Sequence, residues 1–186
     1  MNNIILLVFT ASLFAYKNAS VKDNHLPAPP SIAPSAAGID ESKQQEEFAI
    51  TAPRGWEKFD TILMDHRFTI LRSPQGKDDD FRENVNVASE SSGSMDLQDY
   101  FDANKTSMKS SLPEFLEILH GDKTINNLRF KNLKYSHKYG GTPIDVDAYF
   151  IIHKGKGYVI TCSAGRGTLS QWQPVFDKIM SSFSFK

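Results

Sequence analysis

Leu128-Arg-Phe-Lys-Asn-Leu-Lys-Tyr-Ser-His-Lys-Tyr139 runs into Gly140-Gly-Thr-Pro143, then Ile144-Asp-Val-Asp-Ala-Tyr-Phe-Ile-Ile-His153. Lys154-Gly-Lys-Gly157 follows, and then Tyr158-Val-Ile-Thr-Cys-Ser163. Three β-branched and aromatic runs joined by two glycine-rich reversals predict neighbouring antiparallel strands. Val146, Ala148, Phe150 and Ile152 alternate with Asp145, Asp147, Tyr149 and Ile151. That period of two predicts one inward face and one partly wet face.

Upstream, the same texture predicts strands at Phe48–Ile50, Trp56–Met64, Arg67–Leu71 and Val85–Glu90, with another at Phe115–Leu119. Between Glu90 and Phe115 the period changes. Asp96 is a good helix cap, and Leu97, Phe101, Met108 and Leu112 hold roughly one helical face. Asp99 and Asp102 suit the positive end of that helix dipole, while Lys105 and Lys109 lie nearer its negative end. A second helix is predicted over Ser170–Ser182, where Trp172, Val175, Phe176, Ile179, Met180 and Phe183 follow the same spacing. Thr168 and Gln171 have the spacing of a capping box. The order is strands, helix, strands, helix. It predicts an α+β fold, a mainly antiparallel β-sheet sandwiched by two amphipathic helices.

Four stretches carry a family resemblance. They are Phe48-Ala-Ile-Thr-Ala-Pro-Arg-Gly-Trp56, Asn84-Val-Asn-Val87, Gly157-Tyr-Val-Ile-Thr161, and the last helix closing on Ser181-Ser-Phe183. With the element order, they resemble the PsbP-like family of extracytoplasmic proteins and its Mog1/PsbP-like fold, over Glu47–Lys186. The resemblance implies a binding or accessory role. The plant member supports calcium and chloride retention at the oxygen-evolving photosystem, and bacterial relatives are mostly exported. This chain has neither a Ser/Arg-rich transit segment nor a twin-arginine start, which argues against a thylakoid role. The motifs are structural texture, so no functional residue is carried over from the family.

The chain has 186 residues and divides into three parts. Residues 1–19 open on the apolar run Ile4-Ile-Leu-Leu-Val-Phe9, too short for a membrane span and suited to a signal peptide with cleavage near Ala15 or Ala19. Asn2 and Asn3 stand where a basic start is usual. Residues 20–46 hold Pro27, Pro29, Pro30 and Pro34 with few large apolar residues, the composition of a semi-rigid linker. Residues 47–186 form the domain, with 18 Lys+Arg against 18 Asp+Glu. The expected location is periplasmic or secreted. The only cysteine, Cys162, lies far from the apolar run, which excludes a bacterial lipoprotein. A single cysteine also excludes an internal disulfide or a Cys-based zinc site. A net charge of −1 argues against a dedicated nucleic-acid binder.

No residue is assigned a catalytic, metal-binding or cofactor-binding role. Cys162, in a β-rich run, reads as a small core residue. His25, His66, His120, His137 and His153 show no zinc-protease spacing. Asp78-Asp79-Asp80 reads as a solvated loop, with weak cation binding as the alternative, since contiguous acids lack the EF-hand frame. Gly165-Arg166-Gly167-Thr168 reads as a turn with a cap, or as an anion site at a helix start using Arg166. Asn104-Lys105-Thr106 fits a glycosylation sequon. The sharpest candidate is the acid-free stretch Lys123–Lys138. Arg129, Lys131, Lys134 and Lys138, with Lys154 and Lys156 on a later hairpin and Arg166 as an outlier, would form a basic face flanked by Tyr135 and Tyr139. It would suit a protein partner, an anionic ligand or a lipid head group. Lysines along a solvated sheet edge also discourage aggregation. The expected function is therefore a non-catalytic exported binding or accessory module. A small hydrolase or transferase with a site invisible in sequence, or an inhibitor or immunity-type partner, are the alternatives.

Overall fold

The computed structural model describes residues 47–63, 66–76 and 81–186. The expected signal segment 1–19, the linker 20–46 and the Asp78–Asp80 loop lie outside the described residues.

Nine strands and two helices are present among them: β1 Phe48–Ala49, β2 Glu57–Leu63, β3 His66–Arg72, β4 Asn84–Ser91, α1 Leu97–Ser111, β5 Leu116–Ile125, β6 Leu128–Tyr139, β7 Thr142–His153, β8 Lys156–Gly165, α2 Leu169–Ser181 and β9 Ser184–Phe185. Seven strands form one sheet in the order β2-β3-β4-β8-β7-β6-β5, and β1 pairs with β9 in a small second sheet. Every pairing is antiparallel. The expected α+β class stands, with one helix packed on each face.

Strand parity explains the two layers. On β7, Ile144, Val146, Ala148 and Phe150 join Tyr100, Phe101 and Met108 of α1 in one buried cluster. The alternate residues Tyr149 and Ile151 join Ile160 and Cys162 of β8 with Phe176, Ile179 and Met180 of α2 in another. The face expected to be partly wet is thus sealed from Asp147 to Ile151, because α2 lies across it, while Asp145 stays partly exposed. Asp147 on that face is fully buried.

Local chemistry sets the helix ends. Asp96 caps α1 by accepting from the Asp99 N–H at 2.9 Å. Thr168 does not form the expected capping box. Its φ of −104° and ψ of −6° are already helical, and its hydroxyl donates to the Gly165 carbonyl instead. Gly157 sets the seat of α1, since a Cβ there would lie 2.3 Å from the Tyr100 ring. The Tyr100 hydroxyl then donates to Glu90 at 2.9 Å. Asn104 of the sequon is fully buried and its amide donates to the Tyr100 carbonyl, so the folded chain does not present it.

Three sheet features differ from expectation. The joint after β6 is the two-residue turn Gly140-Gly141, both at positive φ, and Thr142 and Pro143 already belong to β7. β5 continues to Ile125 instead of stopping at Leu119, and turns into β6 through Asn126 and Asn127 at φ 50° and 62°. Those angles match the twist of a tight hairpin, and asparagine tolerates them. The third feature is β9, an extra short strand whose Phe185 packs on Phe183 and Tyr158.

Candidate functional site

β6 carries four of the seven candidate basic residues, and its period of two divides them. Lys134 and Lys138 share the α2 face with Phe130, while Arg129 and Lys131 share the α1 face with Leu133. Arg129 and Lys138 are nine residues apart, about 30 Å along the strand. Lys154 and Lys156 lie at the β7–β8 turn, the end of the sheet where β6 begins. Arg166 lies at the other end, where its N–H donates to Pro143, the partner of Lys138. The flanking aromatic residue Tyr135 is buried among Leu133 and Phe115.

Acids from distant parts of the chain meet these cations. Lys131 pairs with Asp122 at 2.8 Å, Lys138 with Glu114 at 2.6 Å, Lys156 with Glu47 at 2.5 Å and Arg166 with Asp145 at 3.9 Å. The hydrogen bond from Lys131 holds the Asp122 carboxyl below the usual carboxylate range. Glu47 is lowered likewise, first by Lys156 and then by the Tyr158 hydroxyl. At the start of α2, the Gly167 N–H donates to Asp145 at 2.7 Å. A carboxylate of the chain itself takes the place expected for an external anion.

Lys134 belongs to a second arrangement that the linear pattern did not reveal. The buried Asp147 accepts from Asn132 at 2.6 Å and from the Tyr149 hydroxyl at 2.8 Å, with the Lys134 ammonium 3.5 Å away. Lys134 also donates to Gln173 of α2 at 3.2 Å, and Lys123 donates to the Tyr149 hydroxyl at 3.0 Å. Gln173 donates in turn to Asp177, which lies 3.8 Å from Lys123. Burial, with Asp147 next to it, pushes the Tyr149 hydroxyl well up. Each polar group in this network has a partner, as a buried charge requires. The sequence signal was Asp147 set between the apolar Val146 and Ala148.

Cys162 sits opposite Asp147 in the β7–β8 ladder and is fully buried. Burial raises its thiol well above the ordinary value, and Asp147 adds to the effect. A nucleophilic thiol needs the opposite shift and access to substrate. His137 is buried, its imidazole lowered by burial, with Arg166 adding to this and the Lys138 carbonyl opposing it. His153 stacks on Phe185 at 3.9 Å. Among the described residues no three His, Cys, Asp or Glu side chains group as a metal site.

The remaining distinctive surface is β5, the last strand of the sheet, paired only with β6 among the described strands. Residues 116–122 are exposed, and α1 only borders them, through Lys105 near Glu117 and the Phe101 ring near His120. Leu116, Ile118 and Leu119 are 62%, 58% and 58% exposed. A bulge between Glu117 and Leu119 interrupts the ladder there. Leu119 and Lys123 oppose Lys134 and Phe130 on the α2 face, whereas Glu117, His120 and Asp122 oppose Tyr135, Leu133 and Lys131 on the α1 face. Glu117 also approaches Lys105 of α1 at 3.5 Å and His120 at 2.5 Å.

This architecture matches solved structures. It is similar to PA94, a protein of unknown function from Pseudomonas aeruginosa, at 15% identity and a TM-score of 0.57, covering 69% of this chain and 97% of that one. It is similar to cyanobacterial PsbP from Synechocystis sp. PCC 6803, at 17% identity and a TM-score of 0.53, covering 82% and 100%. LpqN, involved in cell envelope biogenesis of Mycobacterium tuberculosis, matches at 14% identity and a TM-score of 0.56, covering 75% and 83%. No protein-family model and no curated protein matches the chain. The fold is therefore PsbP-like, as the resemblance implied. Among the described residues no helix is long and apolar enough to cross a membrane.

Proposed function

We propose that the protein is an exported, non-catalytic accessory module of PsbP-like type that acts by binding a protein through the β5 edge. One observation carries this reading. The sheet ends on a ten-residue strand that exposes Leu116, Ile118 and Leu119 beside an open row of backbone hydrogen-bonding groups. Such edges template the addition of another strand. The apolar opening Ile4–Phe9 and the proline-rich stretch after it support export on a spacer. A protein partner fits better than an anionic ligand or lipid head group. The seven basic residues are divided between faces and ends, and five of them hold oxygen partners within the chain. The sealed, protonated thiol of Cys162 and the mutual pairing around Asp147 fit structural roles better than catalytic ones.

A photo-crosslinking residue at Ile118, in the cells that make the protein, tests this. The expected result is a discrete protein adduct at position 118, from the extracytoplasmic fraction, and none with the probe at exposed Arg54. Equal labelling at both positions, or none at 118, overturns the reading.

A further inference from the structure

The β5 edge also carries the chemistry of its occupant. We propose that the occupant is a second copy of this chain, joined β5 to β5 about a two-fold axis through Gly121, so that two seven-stranded sheets become one. This rests on the binding role given to the edge and names the partner.

Self-complementarity carries the argument. A two-fold perpendicular to the sheet reverses the strand and keeps its faces, so α1-face residues meet α1-face residues. With Gly121 on the axis, His120 lies opposite the partner's Asp122 and Asp122 opposite the partner's His120. Both residues are exposed on the α1 face of β5, where His120 contacts Glu117 and Asp122 pairs with Lys131, so the crossing pair adds to these contacts. One register thus forms the same oppositely polar pair twice. Centring the axis on Asp122 would set two carboxylates face to face, and centring it on His120 would set two imidazoles together. Like charges directly opposite are unfavourable.

Gly121 suits the axis sterically. A Cβ placed on it meets nothing within 4 Å, and its φ is not in the positive range. Neither its backbone angle nor a neighbour within 4 Å therefore requires glycine at this position. At the axis it keeps the α2 face bare where two strands approach most symmetrically. On that face Leu119 comes opposite the partner's Lys123, whose stem offers methylene surface, and diagonal to the partner's Ile125. These are positions at which cross-strand side chains touch. The paired span runs from Leu119 to Lys123, stopping at the bulge at Ile118. The association closes on itself and leaves no β5 edge for a third copy.

Sedimentation velocity of the purified protein over a wide concentration range, with an engineered cross-link, tests the assignment. The expected result is a reversible dimer. Ile118→Lys with Leu119→Lys lowers its association constant by about a hundredfold through like-charge juxtaposition at the edge. Because both side chains are exposed, the monomer fold and its circular dichroism stay unchanged. Gly121→Cys forms a disulfide-linked dimer on mild oxidation, since cross-strand Cα atoms on a two-fold lie within disulfide reach. Arg54→Cys forms none, and native Cys162 is sealed. A monomer at every concentration overturns the inference, as does a dimer that survives the double substitution and does not cross-link at position 121. If the chain is monomeric while the Ile118 probe captures a different protein, the binding role stands and only this partner is wrong.

Discussion

β7 and β5 are strands of one antiparallel sheet, yet they live in opposite surroundings. From Ile144 to Ile151, all of β7 except Asp145 is buried, between α1 on one side and α2 on the other. From Leu116 to Asp122, β5 is exposed on both sides and held mainly by its ladder to β6. Hydrogen bonding alone contributes modestly, because water offers an equivalent partner in the unfolded chain. β7 is thus the stability of the domain, and β5 is surface presented by it. The comparison also separates two kinds of apolar residue. Phe150 is apolar because the fold needs it, whereas nothing inside the chain accounts for Ile118.

The contrast can be broken at several points. The largest effect is expected from Phe150→Ala, which removes a ring packed edge-on against Phe101 at 5.3 Å between centroids. The cavity should cost about 4 kcal/mol, read as a lower urea midpoint. Asp147→Ala should come next, at about 3 kcal/mol, by leaving Asn132, Tyr149 and part of Lys134 without their acceptor. A loss below about 1 kcal/mol would mean that water replaces the carboxylate and that the network is open to solvent.

A smaller effect is expected from pH. The fold favours neutral His137, so its folded pKa lies below the ordinary imidazole value of 6.5. Its contribution is complete above that value and is lost as pH falls through the lowered folded pKa. Urea midpoints at decreasing pH below 6.5 should therefore fall more steeply for the native chain than for His137→Phe. Parallel curves would remove His137 from the acid response. The smallest effect is expected from Ile118→Ala, which should change unfolding free energy by less than about 0.5 kcal/mol under monomeric conditions. A larger loss there would show that β5 is part of the core after all.

Much of the fold was readable in the chain because its signals are local. The alternation in β7, the glycine joints around it, the Asp96 cap and the apolar stripe of α2 each need only a few neighbouring residues. The second half of β5 was not readable. His120-Gly-Asp-Lys-Thr124 has no alternation, since neither face is buried, and only the ladder to β6 makes it a strand. The spatial arrangement of the basic candidates was not legible. An acid-free stretch in sequence says nothing about Asp122, Glu114 and Asp147 arriving from neighbouring elements.

The sequence by itself determined the antiparallel sheet, the two amphipathic helices and the charge balance of the domain, because periodicity and turn chemistry act over a few residues. Only the tertiary structure decided which alternate face of β7 is dry, which acids meet which lysines, and which strand ends the sheet. Those outcomes depend on long-range register and on where α1 and α2 settle, and burial is a property of the assembled layers.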